Sequence, residues 1–260
     1  MSVKLHASRT GSGPPVVLLH GLFGSGNNLG ALARSLRDRY EVFSVDLPNH
    51  GRSDWLEGAD LTAMAAALRH WLDHHGLQSV RLLGHSLGGK VSMELALESP
   101  DRVAALVVAD IAPVSYPPGH DQVFAALEAV ASASCESREA AAALMASYLE
   151  EQDVIHFLLM SLQRGPGGIY DWRFNLEGLK RNYSAVRDAP VAASLYQGPV
   201  LFIKGGDSDY IREEHRRGIL ALFPGAKLRV MPGCGHWLHA QQPSLFNSIV
   251  GRFLDGELDR

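Results

Sequence analysis

Cysteine is nearly missing from this chain. Cys135 and Cys234 are the only two in 260 residues, far apart and outside any Cys-x-x-Cys spacing. That excludes a disulfide framework and favours two buried thiols in a reducing compartment. Long apolar runs are missing too. The longest, Val103 to Val114, is broken by Asp110 and Pro113, well short of the ~18 apolar residues of a spanning helix. The N-terminus lacks the apolar core of a signal peptide, so a soluble cytoplasmic protein is expected. There is no basic excess: the net charge is −4 and the pI near 6.3. This argues against a nucleic-acid binder and against a polybasic membrane-surface protein. The glycine-rich loops at 21–26 and 205–206 lack the lysine and serine of a P-loop. His70 and His74, spaced i, i+4, lack the glutamate of a zinc protease. Neither a cofactor nor a metal is therefore expected. The oligomeric state is not legible.

What the chain does contain is alternation. Val16–Leu19, Glu41–Val45, Ser79–Leu83, Arg102–Ala109, Pro199–Lys204 and Lys227–Met231 read as strands, most of them continuously apolar. Residues 3–7 read as a short edge strand. Between them lie helical patterns, as in Asp60–His75, where Leu61, Met64, Ala65, Leu68 and Leu72 form one stripe. Strands apolar on both faces, alternating with helices, predict an α/β fold with a mostly parallel central sheet between helices. The alternation breaks across 113–197, which is Ala-rich and amphipathic with no convincing strand. Residues 1–112 and 198–260 therefore read as the core domain, and 113–197 as a helical cap inserted over the carboxyl edge of the sheet.

The chain is organised around Gly84-His85-Ser86-Leu87-Gly88. A strand runs into it and a helix leaves it, the context of a G-x-S-x-G nucleophile elbow. Ser86 must project from a strained turn, and Gly84 and Gly88 leave room where strand and helix backbones pass closely. A serine hydroxyl needs a base. Of twelve histidines, His236 follows the last strand, the position that fits the order nucleophile, acid, histidine; His20, His50 and His85 read as structural. A third group should fix the imidazole tautomer. Asp209 and Asp207 follow the strand Pro199–Lys204, and Asp110 ends the strand after the nucleophile helix. All three stay open on position alone. An oxyanion needs two backbone donors, assigned to Leu87 N–H and to Leu22 N–H, with Phe23 as the other choice in that loop. In the cap, Phe157, Met160, Trp172 and Phe174 read as core rather than pocket lining.

Taken together, His20-Gly21-Leu22-Phe23-Gly24-Ser25, Asn49-His50-Gly51, Gly84 to Lys90, Asp110-Ile111-Ala112-Pro113-Val114, Trp172-Arg173-Phe174-Asn175 and Gly235-His236-Trp237-Leu238-His239-Ala240 resemble an α/β-hydrolase. The resemblance is closer to the small bacterial esterases of the YbfF type and their mitochondrial relatives, and it runs nearly end to end. It implies a serine hydrolase of short or medium acyl esters, or thioesters, working without a cofactor on a small-molecule substrate. It also implies Asp110 as the acid and Ser208 as a fourth member beside the histidine. This chain departs from the family's Gly-Gly-Asn-Ser by carrying Asp207 and an added Asp209, so Asp209 stays the second choice. A cofactor-free perhydrolase or a C–C bond hydrolase would use the same triad. A non-catalytic small-molecule receptor would keep the same fold.

Overall fold

The computed structural model describes residues 3–191 and 193–257. In chain order the elements are β1 (Ala7–Thr10), β2 (Pro15–Leu19), α1 (Gly30–Leu36), β3 (Glu41–Val45), α2 (Leu61–His74), β4 (Val80–His85), α3 (Leu87–Glu98) and β5 (Val103–Ala109). There follow α4 (Asp121–Ser132), α5 (Arg138–Met145), α6 (Gln152–Leu159), β6 (Leu162–Arg164), β7 (Tyr170–Trp172), α7 (Leu176–Arg181) and α8 (Tyr183–Arg187). The chain closes with β8 (Val200–Gly205), α9 (Arg216–Leu222), β9 (Ala226–Met231), α10 (Leu238–Gln241) and α11 (Pro243–Leu254).

Seven strands form one sheet in the order β1-β3-β2-β4-β5-β8-β9; β1 is antiparallel to β3 and the other pairings are parallel. Both faces are covered, which is why the strands read as unbroken apolar runs. In β2, Val17 and Leu19 enter one core with α2 and α3, while Val16 and Leu18 enter the opposite core with α1 and α11. The strand thus keeps its period of two, with an apolar residue at every position. Helix α2 starts at Asp60, whose carboxylate accepts the Ala63 N–H at 2.7 Å, and its predicted stripe is buried. Helix α3 is buried on all sides from Leu87 to Leu97.

Two sequence expectations shift. The edge strand lies at Ala7–Thr10 rather than 3–7. Leu5 is buried in the core, but the ladder to β3 forms only beyond it, from Ala7 opposite Val45. The segment between β5 and β8, expected to lack strands, contains the antiparallel pair β6–β7. Five helices and this hairpin enclose a third apolar core, which includes Trp172 and Phe174 and one residue from outside the segment, Phe23.

Candidate active site

Four strands in the middle of the sheet are each followed by a non-glycine residue with positive φ. These are Phe23 after β2 (φ 62°), Asn49 after β3 (66°), Ser86 after β4 (52°) and Asp110 after β5 (52°). Such a backbone costs about 1–3 kcal/mol at each position and persists only where its surroundings enforce it. At Ser86 the enforcement is steric. A Cβ on Gly84 would lie 2.1 Å from the Gly88 carbonyl oxygen, and one on Gly88 would lie 2.5 Å from that of Leu19. Strand and helix backbones are therefore in direct contact around the turn, and the half-buried Ser86 side chain projects into the cleft between sheet and insertion.

Asp110 is fully buried and its carboxylate is met by three donors. Oδ1 accepts Gly205 N–H at 2.9 Å; Oδ2 accepts the Ser208 hydroxyl and His236 Nδ1–H, the latter at 2.8 Å. A proton on Nδ1 leaves Nε2 as the basic nitrogen. Asp209 is exposed at the mouth of the cleft, where its backbone carbonyl accepts from Arg212 Nε. Asp207 is likewise exposed, its N–H donating to the Cys234 carbonyl. The structure thus brings Asp110, Ser208 and His236 into contact and leaves the two other acids outside.

The loop after β2 turns tightly, with Gly24 N–H donating to the Gly21 carbonyl at 3.1 Å. Phe23 holds the third position of this turn, where positive φ normally selects glycine. Its backbone and its ring both hold it there, the carbonyl accepting the Ser161 hydroxyl at 2.6 Å. Its N–H donates to His50 Nε2 at 3.1 Å, and its ring packs against Phe124 and Phe174 in the core of the insertion. Phe23 N–H is therefore spent and the alternative donor assignment fails. Leu22 N–H has no acceptor among the described residues, and Leu87, the first residue of α3, has none within its own helix.

The remaining motif histidines are braces. His20 Nδ1 donates to the Gly21 carbonyl and its Nε2 accepts Leu47 N–H; His50 Nδ1 donates to the Pro48 carbonyl. Burial keeps both neutral, lowering His20 to about 4 and His50 to about 3. His85 Nε2 donates to the carbonyl of His236 at 2.8 Å and so ties the nucleophile turn to the histidine loop. Burial pushes its pKa well down, helped by His239 and His236 beside it. Asn49 fixes the insertion: its carbonyl accepts Asn175 N–H at 2.9 Å and its side-chain oxygen accepts Asn175 Nδ2 at 3.2 Å. This explains two of the sequence motifs at once.

Three contributors escaped the sequence. Tyr210 stacks on the His236 ring at 4.1 Å between centroids. His120, from the insertion, lines the cleft on both sides of Ser86 and meets the Tyr183 hydroxyl. Lys90, one turn after Ser86 in α3, is buried and points its ammonium at the carbonyls of Val114, Arg187 and Asp188. Desolvation lowers it to about 7. Lys90 closed a recognised motif, but nothing in that motif signals what its ammonium would meet. Of the aromatics read as core, Trp172 and Phe174 are core; Phe157 lines the cleft against Trp237, and Met160 is exposed. Among the described residues, no group of three or more His, Cys, Asp or Glu is arranged to hold a metal ion.

Ser86 stands where two cavities meet. One, about 280 Å³, is lined by Leu22, Leu87, Lys90, Ile111, Tyr116 and Arg187, among others. The other, about 350 Å³, is lined by Leu22, Phe157, Leu158, Tyr210, His236 and Trp237, among others. A half-buried serine at a positive-φ turn, lining one cavity with an imidazole paired to a buried carboxylate, is suited to transfer an acyl group through a covalent intermediate.

The chain is similar to known proteins. The profile of the alpha/beta hydrolase family matches residues 16–249. Esterase YbfF of Escherichia coli is 40% identical over 242 residues, 93% of each chain. The sn-1-specific diacylglycerol lipase ABHD11 of Mus musculus is 39% identical over 249 residues, 93% of this chain and 81% of the relative. A solved structure described as a marine microorganism esterase superposes with a TM-score of 0.93 at 35% identity, covering 97% of this chain and all 100% of the other.

Proposed function

The chain belongs to the alpha/beta hydrolase family and is a carboxylic ester hydrolase of the YbfF esterase type, and we propose that it works as a serine esterase through an acyl-enzyme on Ser86. His236 Nε2 takes the Ser86 proton as the hydroxyl oxygen attacks the ester carbonyl. The N–H groups of Leu22 and Leu87 hold the oxyanion, aided by the positive end of α3. The imidazolium, stabilised by Asp110, protonates the departing alcohol. Water activated by the same imidazole then releases the acid. Ser208 orients Asp110 through its hydroxyl, and the histidines around the turn hold the loops. The carrying observation is the buried Asp110 carboxylate at 2.8 Å from His236 Nδ1, in a cavity that the strained Ser86 also lines.

The insertion serves as the cap. It supplies His120, Phe157 and Leu158 to the cleft, and cavities of this size fit esters or thioesters of short to medium acyl chains. No helix among the described residues is long and apolar enough to cross a membrane. The two buried free thiols fit the reducing cytoplasm. Incubation with a fluorophosphonate probe tests the reading: the adduct is expected on Ser86, and Ser86→Ala is expected to lose both adduct and turnover, the latter by about a millionfold. Wild-type turnover in Ser86→Ala would overturn it.

A further inference from the structure

The two cavities at Ser86 differ in what they can receive, and the reaction proposed above, on which this inference rests, decides which half of an ester enters each. The imidazolium of His236 must hand its proton to the departing oxygen. The alcohol therefore lies in the cavity that His236 lines, with Trp237 and Phe157. His236 does not line the smaller cavity, which is walled by Leu87, Ile111, Tyr116 and Val186. The acyl chain runs there.

The two sides are charged differently. The acyl side carries Lys90, Arg187 and Arg212 against Asp209, whereas Glu151 is the carboxylate on the alcohol side. The three basic side chains are not equivalent. Lys90 has its three N–H bonds directed at three carbonyls, so it offers no free donor. Arg212 is exposed at the mouth, bonded to the Asp209 carbonyl. Arg187 is the unsatisfied one. Its Nη1 donates to the Tyr116 carbonyl and its guanidinium lies 5.3 Å from the Tyr183 ring centroid, while its Nη2 makes no hydrogen bond among the described residues and is not sealed inside the protein. A guanidinium that lines an apolar-walled cavity with an unengaged amino group is best matched by a carboxylate. We infer that the preferred substrate carries a carboxylate at the far end of its acyl chain, as in the half-ester of a dicarboxylic acid, and that Arg187 receives it.

The test compares ethanol release from monoethyl succinate, glutarate and adipate with that from ethyl butyrate, valerate and hexanoate, using the intact protein. At the best-fitting length the half-ester is expected to exceed its neutral counterpart in kcat/KM by about tenfold or more, the gain typical of a charge-assisted hydrogen bond. In Arg187→Gln the ratio should fall toward one, and Arg187→Lys should fall between. Because Arg187 also holds the Tyr116 carbonyl, the wild-type comparison alone is decisive. Neutral esters equal to or better than half-esters at every length would overturn the inference while leaving the esterase reading intact. Hydrolysis of neither series would remove both.

Discussion

The carboxyl edge of the sheet and the insertion above it contribute to one cleft by different means. At the sheet edge, position is imposed by the backbone. Positive φ at Ser86 and Asp110, glycine backbones in contact, and a carboxylate with three donors leave each reacting group one place to be. In the insertion, position comes from side-chain packing among Trp172, Phe174, Phe124 and their neighbours. On the proposed mechanism the chemistry is carried by the sheet edge, and the shape of the substrate by a segment that packs on it and is tied to it through Asn49 and Lys90.

The sharpest way to break that contrast is to alter one acid on each side of the histidine loop. Asp110→Asn should lower kcat by about ten-thousandfold, because the amide no longer enforces the Nδ1–H tautomer. Asp209→Asn, at the cleft mouth, should change kcat by less than about threefold, since it removes no contact with the imidazole. Steady-state kinetics on both variants checks the pair, and a large loss at Asp209 would reverse the assignment of the acid. A smaller effect tests the one residue that belongs to both regions. Phe23→Ala should cost about 3–5 kcal/mol in urea unfolding. It should also lower kcat, because the turn presenting Leu22 N–H loses its anchor in the insertion. Stability lost without any change in kcat would mean that the sheet edge positions this turn unaided.

The gentlest probe is pH. His20 and His50 are held neutral, near 4 and 3, whereas in the unfolded chain they titrate near the usual 6.5. Below about pH 6.5 the unfolded state binds protons that the native state does not. These two residues therefore make stability fall as pH drops from about 6.5 toward 4, by up to about 1.4 kcal/mol per pH unit for each. Thermal melts across this range should show the decline, and His50→Gln should flatten it.

Much of the sheet edge was legible in the sequence because its constraints are local. Gly84 to Gly88 had to be a strained turn, and the unbroken apolar strands had to be covered on both faces. The choice between Asp110 and Asp209 was not local. It depends on which carboxylate reaches across from a neighbouring strand, and strand order supplies that. Tyr210 was invisible for the same reason, since stacking on His236 joins two loops that only the fold brings together. In the insertion, Leu162–Arg164 and Tyr170–Trp172 are three residues each, too short to show a period. They are held by contacts outside themselves: Tyr170 N–H to the Cys135 carbonyl, and the Trp172 indole to the Leu127 carbonyl.

The Lys90 ammonium has a consequence for how such a chain can change. It gathers a carbonyl from the start of the insertion, Val114, and two from its end, Arg187 and Asp188. Strands β5 and β8, which the insertion leaves and rejoins, are neighbours in the sheet. The first residues of the segment and the end of its last helix are thus held by one side chain. A replacement of that segment would have to bring both of these stretches back to the same lysine to keep its three hydrogen bonds.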